Sequence, residues 1–156
     1  MPANGPFAER QGWKLYRARA VQEAFDALEA EVARIATDKP EALVSHPKAK
    51  LLRRITDVIL DEIPRDPNAL IYGLGNTLGP AHRHWRRAKF LQRFRLFFRF
   101  DSVSRIIIYA WVNDENTLRK AGARSDPYAV FTRRLDDGNP PDRWEELLKD
   151  AKRRSE

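Results

Sequence analysis

The sequence predicts an α+β fold: an antiparallel-rich β-sheet with an N-terminal helical hairpin packed on one face and helices at the C-terminus. Three observations carry this prediction. Two stretches before residue 64 repeat apolar residues at helical spacing. Three stretches between residues 85 and 112 alternate or run apolar as strands do, and two short amphipathic stretches close the chain. A chain of 156 residues suits one domain with a core of its own.

Residues 1–11 (MPANGPFAERQ) are polar and turn-rich and read as a flexible arm, which places the domain proper over residues 12–153. The run Gly12-Trp13-Lys14-Leu15-Tyr16 alternates and reads as a short strand. From Arg17 to Ala36, the residues Val21, Phe25, Leu28, Val32 and Ile35 recur every three or four positions and share one helical face. Lys39-Pro40 ends that helix, because proline lacks the donor the next turn needs. A second helix is expected from Pro47 to Ile63, with Ser45 as a candidate cap, a stripe of Leu51, Leu52, Ile55, Val58 and Ile59, and Pro64 as its stop. Residues 65–84 hold Pro67, Gly73, Gly75, Gly79 and Pro80 without a period and read as a long irregular connection. No Gly-Lys-Ser/Thr follows these glycines, so turn formation accounts for them better than a phosphate loop does.

Strands are expected over Trp85–Phe90, Arg93–Phe100 and Arg105–Val112. The last of these, with its IIIYAWV run, reads as a central strand. Asp101-Ser102-Val103-Ser104 suits a turn, whereas Leu91-Gln92 is a weak one, lacking Gly or Asn. Residues 113–124 read as irregular, Asp126–Leu135 as a short helix with Tyr128, Phe131 and Leu135 inward, and Asp142–Arg153 as the last helix.

Composition narrows the function classes. The absence of cysteine excludes disulfides, thiol catalysis and thiolate metal sites. Three histidines without fitting spacing do not make a metal cluster, and neither metal nor cofactor is expected. No apolar run approaches the length of a membrane span, and no secretion signal opens the chain, so a soluble cytoplasmic protein is expected.

Charge is the sharpest signal. The chain carries a net +7, and the whole excess lies between Arg83 and Arg105, where eight basic residues face one acid, Asp101. Strand alternation sorts this segment by face. With Phe94, Leu96, Phe98 and Phe100 beneath the helices, the opposite face carries Arg87, Lys89, Arg93, Arg95 and Arg99, with Tyr109 and Trp111 among them. Cations beside flat rings suit a single-stranded nucleic acid, phosphates meeting the cations and bases stacking on the rings. A solvated face normally mixes signs, and seven of these eight cations are arginine, which grips phosphate bidentately. An acidic protein segment and a passive surface are the alternatives.

Such a face also suits catalysis on RNA. The 2′-hydroxyl is a built-in nucleophile, so a protein need only align it and stabilise the charge that develops on phosphorus. Proton carriers are harder to assign. His82 and His84 titrate in the right range but sit in a loop, where a histidine is more often a surface residue. Asp114 and Glu115 are further candidates that equally suit holding arginines or capping the next segment.

Several runs carry a family resemblance. GWKLY at residues 12–16, WRRAKF at 85–90, RFRLFFRF at 93–100, WVNDENTLR at 111–119, DPYAVF at 126–131 and PPDRW at 140–144 resemble the YhaV family of type II toxin–antitoxin toxins. The resemblance implies a RelE-like fold and an endoribonuclease (an mRNA interferase) that cuts mRNA without a metal, in the context of translation, and halts growth. It implies a PrlF-like antitoxin partner, in a complex that binds its own promoter DNA. In the W-x-R-x-K-F motif the family's essential arginine falls on Arg87. Lys89 beside it and Arg95 in support are the further catalytic candidates. Arg93, Arg99, Tyr109, Trp111, Asn113, Glu115 and Arg119 are candidate RNA-binding residues, with Asn113 and Glu115 at the rim. A non-catalytic RNA or ribosome binder that blocks translation by occupancy is the alternative.

Overall fold

The computed structural model describes residues 5–153. Five strands form one mixed sheet in the order β1-β2-β5-β4-β3, with β1 at Ala8–Arg10, β2 at Trp13–Arg17, β3 at Arg86–Phe90, β4 at Phe94–Asp101 and β5 at Ile106–Val112. Every neighbouring pair is antiparallel except β2 and β5, which run parallel. Helices α1 (Arg19–Asp38) and α2 (Pro47–Asp57) form the hairpin on one face, and α4 (Pro127–Asp136) and α5 (Trp144–Arg153) cover the other. The central strand β5 is buried along its whole length, as its nearly continuous apolar run requires.

The expected arm over residues 1–11 is a strand in part. Gln11 and Gly12, at φ of 55° and 83°, turn the chain so that Arg10 pairs with Trp13. Left-handed values at both central positions give the tight turn that suits strand twist. Residues 1–4 of that expected arm lie outside the described residues. The Leu91-Gln92 turn forms without glycine, both residues taking positive φ, and lets Phe90 pair with Phe94.

The second helix departs from expectation at both ends. His46, not Ser45, caps it, its Nδ1 accepting from the Lys48 amide. Pro64 does not stop it at once: α2 widens into a π turn at Val58–Glu62 and continues as one turn, α3 (Ile63–Arg65), which holds Pro64. Val58, Ile59 and Ile63 are all buried against the sheet.

A bulge decides which side chains face which layer. Phe97 pairs with Trp111 and Phe98 with Tyr109, so Ala110 has no partner of its own. One extra residue reverses the alternation beyond it. Ile107, Tyr109 and Val112 therefore lie under the helical hairpin with Leu15, Leu96 and Phe98. Ile106, Ile108, Ala110 and Trp111 face α4 and α5 with Trp85, Phe97 and Phe131. Strict alternation would put Ile106, Ile108, Ala110 and Val112 together under the hairpin, and the first three lie on the opposite face.

Candidate active site

At the end of the sheet where β3 meets β4, two arginines share one tyrosine. Arg87 on β3 donates from Nε to the Tyr128 hydroxyl at 2.8 Å and from Nη1 to the carbonyls of Gly73 at 3.0 Å and Ile71 at 3.2 Å. Arg95 on β4 donates from Nε to the same hydroxyl at 3.1 Å and from Nη1 to the carbonyls of Phe94 at 2.9 Å and Gln92 at 3.0 Å. Arg87 is half-buried, whereas Arg95 is only 7% exposed. Among the described residues neither guanidinium has a carboxylate partner, and the acceptors of both are neutral oxygens, so neither positive charge is cancelled by an ion pair.

The first turn of α4 places Tyr128. Asp126 caps that helix by accepting from the Tyr128 amide at 3.1 Å, and its other oxygen takes Arg119 Nη1 at 2.5 Å and the Lys120 amide at 2.7 Å. Arg119 lies over the Tyr128 ring at 4.9 Å, and its carbonyl accepts from Arg93 Nε at 3.2 Å. Lys89, exposed, pairs across the ladder with Arg95 and shares a face with Arg87. The fold thus brings Arg87 and Arg95 to one hydroxyl, with Arg119 over the same ring, Lys89 beside Arg95 on the ladder and Arg93 bonded to the Arg119 carbonyl.

Other sequence candidates lie elsewhere. Tyr109 is fully buried under the hairpin, its hydroxyl donating to the Ile59 carbonyl at 2.6 Å, and burial pushes its pKa well up. It cannot stack on a base; the Ala110 bulge puts it on the opposite side of the sheet. Trp111 is on the expected side but lies in the core, stacked with Phe97 and Phe131. Asn113 is 4% exposed, not at a rim. It accepts from the Arg95 amide at 2.7 Å and donates to the carbonyls of Thr117 at 2.8 Å and Arg93 at 3.1 Å, holding the strand end that carries Arg95. Glu115 is exposed and paired with Lys48 of α2 at 3.2 Å, on the edge of a largely apolar groove of about 660 Å³ between hairpin and sheet.

Arg99 does not join the cluster. Its guanidinium lies against the Trp85 and Trp144 rings, with Nη1 donating to the Asp142 carbonyl at 2.7 Å. Burial lowers its pKa. Beside it the Asp142 Oδ1 accepts from Trp85 Nε1 at 2.6 Å and lies 3.0 Å from His84 Nε2 and 3.3 Å from His82 Nδ1. Burial alone would raise the Asp142 carboxyl, but the indole and imidazole neighbours outweigh it and hold it below its ordinary value.

Two participants escape sequence reading. Tyr128 reads there as one more inward apolar position of a helix, because alternation says nothing of where its hydroxyl ends. Asp142 is nearly sixty residues from the two histidines. The only local hint is Asp-Pro-Tyr at a helix start, a cap followed by a ring in the first turn.

A family described as "Toxin with endonuclease activity, of toxin-antitoxin system" matches residues 15–152. Relatives include "Ribonuclease toxin YhaV" of Escherichia coli (strain K12) and "Toxin YhaV" of Escherichia coli O157:H7. Each is 39% identical over 142 residues, which span 90% of this chain and 92% of the relative. No solved structure matches the chain. The family match takes in β3, β4, β5 and all the helices, and with them every residue of the arginine–tyrosine cluster: the chain belongs to the YhaV family of toxins with endonuclease activity, from toxin–antitoxin systems.

Proposed function

We propose that this toxin is a metal-independent endoribonuclease that cuts mRNA by attack of the RNA 2′-hydroxyl on the adjacent phosphorus. The observation that carries the reading is the pair of unneutralised guanidiniums, Arg87 and Arg95, converging on the Tyr128 hydroxyl. In that reaction the 2′-hydroxyl gives up its proton to water as its oxygen bonds to phosphorus, the 5′-oxygen leaves and takes up a proton, and negative charge builds on the non-bridging oxygens between the two steps. Positive groups already held in place stabilise that charge without reorganising. Arg87 and Arg95 take this role, Lys89 adds a mobile charge at the exposed side, and Arg93 and Arg119 hold flanking phosphates.

Tyr128 contributes a proton donor. A phenol has one O–H and two lone pairs. Arg87 and Arg95 donate to its oxygen, so the O–H is the bond the hydroxyl has left to make, to a phosphate oxygen or the departing 5′-oxygen. Tyr128→Phe keeps the ring and its contact with Arg119 but removes both the donor and the shared acceptor. We expect cleavage to fall about 10-fold to 100-fold, as for a positioned acid or charge-stabilising donor. The thermal midpoint should move by only a few degrees. Cleavage unchanged in a folded Tyr128→Phe protein would remove the hydroxyl from the mechanism.

The chemistry has a direct test. Purified protein incubated with RNA in excess EDTA should cut at an undiminished rate and leave 2′,3′-cyclic phosphate and 5′-hydroxyl ends. Strict dependence on Mg²⁺, or 5′-phosphate ends, would sink the mechanism. Membership in an endonuclease family favours cutting over inhibition by occupancy alone. The remaining parts of the reading come from the family. They are action on translated mRNA, at the ribosome, in the cytoplasm, with arrest of growth; a RelE-like ancestry for the sheet; and a PrlF-like antitoxin whose complex with the toxin binds promoter DNA. Among the described residues no helix is long and apolar enough to cross a membrane.

A further inference from the structure

The short turn Pro80–His82 and the residues leading into β3 meet the loop before α5 at Asp142. There His82 Nδ1, His84 Nε2 and an Asp142 oxygen all lie within 4.8 Å of one another. We propose that these three side chains form a binding site for a divalent transition cation of the zinc type, separate from the nuclease cluster.

Three features support it. Two imidazoles and one carboxylate are a ligand set that such ions favour, and three protein ligands leave a fourth position for water. Ligand atoms about 2.0–2.2 Å from a tetrahedral ion sit roughly 3.3–3.5 Å from each other. The two imidazole nitrogens already stand 3.3 and 3.0 Å from Asp142 Oδ1. The second feature is crowding. Three ring nitrogens, of His82, His84 and Trp85, converge on the single oxygen Oδ1, which offers about two lone pairs, so not all three can donate to it at once. A cation removes the conflict. Each imidazole then presents a lone pair at the nitrogen facing the carboxylate and carries its proton on the other ring nitrogen. Trp85 Nε1 keeps its bond to Oδ1 and orients the carboxylate as an outer partner, an arrangement typical of ligating carboxylates. The third feature is access with rigidity. The His82 side chain is 18% exposed, while those of His84 and Asp142, at 35% and 34%, open the site to solvent. Arg99 opposes a cation by its charge, but its Nη1 is bonded to the main-chain carbonyl of Asp142 and leaves the carboxylate uncommitted.

A bound ion would clamp the loop before α5 to the end of the irregular connection at residues 66–85. That connection carries the Ile71 and Gly73 carbonyls that hold Arg87. The site is thus structural, and nuclease chemistry does not pass through it.

The test uses the full chain stripped with a chelator and titrated with Co²⁺ as the probe. One equivalent should give the visible absorption of four-coordinate cobalt, displaced by Zn²⁺. Zn²⁺ at about 100 times its Kd should raise the thermal midpoint by roughly 5–10 °C. His84→Gln and, independently, Asp142→Asn should each lose the cobalt spectrum and the midpoint shift while keeping a native circular-dichroism spectrum. His46→Asn, which changes the remaining histidine and retains an α2 cap, should keep both. An unmoved midpoint with no cobalt spectrum, or His84→Gln binding like the parent, overturns the proposal. Neither readout involves RNA, so failure here leaves the nuclease reading untouched, and the reverse.

Discussion

Arg87→Ala is expected to lower RNA cleavage by about 10²–10³-fold, the usual cost of removing one preorganised donor from a site where charge develops. On the proposed function, the parent chain produced without antitoxin should arrest growth and the same variant should not. Stability should hardly change. Arg87 is half-buried on an edge strand, the Ile71 and Gly73 carbonyls it leaves can turn to water, and Tyr128 keeps its bond to Arg95. Net losses of this kind are about 0.5–1.5 kcal/mol per hydrogen bond and smaller where water replaces the donor. Arg87→Lys keeps the charge but loses the fork that reaches Tyr128 and two carbonyls at once, so its rate should fall between the other two. The measurement is initial cleavage rate on a defined RNA, with circular dichroism as the folding check. A folded Arg87→Ala protein that cuts at the parental rate would mean that the reacting phosphate sits elsewhere.

Phe97→Ala should be the most destabilising of the substitutions considered. Phe97 is fully buried at the centre of β4, stacked on Phe131 at 4.1 Å and on Trp111 at 6.0 Å, with the Tyr128 ring edge-on at 5.6 Å. Emptying such a site costs about 3–5 kcal/mol. That is a large part of the 5–15 kcal/mol typical of a whole domain, and it corresponds to a drop in thermal midpoint of roughly 6–20 °C. Thermal unfolding followed by circular dichroism reads the effect directly. Because Phe97 also supports the Tyr128 ring, the remaining folded protein should cut more slowly than its folded fraction accounts for. A loss under about 1 kcal/mol would show that α4 does not pack on the sheet as described.

The difference between these two residues shows what was legible in advance. Arg87 is visible through its surroundings in the chain: a basic strand with one acid nearby and a W-x-R-x-K-F run shared with a toxin family. The same reading does not show that Phe97 is a core residue. Alternation puts it on the arginine side of β4, which is correct, but says nothing of what covers that side. The structure covers it with α4 and α5. The supposedly open face thus becomes a second core, and the candidate site narrows to the end carrying Arg87, Lys89, Arg95 and Arg119. The expected convergence of five cations shrinks accordingly, since Arg99 is enclosed by Trp85 and Trp144.

Local periodicity by itself determined the helical hairpin, the three long strands, the two C-terminal helices and the concentration of charge on β3 and β4. These follow from spacing between near neighbours, which the chain carries in one dimension. Tertiary structure alone decided the parallel pairing of β2 with β5, the Ala110 bulge that sends Tyr109 to the hairpin side, the Tyr128 hydroxyl between two arginines, and the meeting of Asp142 with His82 and His84. The physical reason is common to all four. A period of two fixes which residues share a face, but a single unpaired residue reverses it. Which distant segment arrives to cover a face depends on burial across the whole sheet.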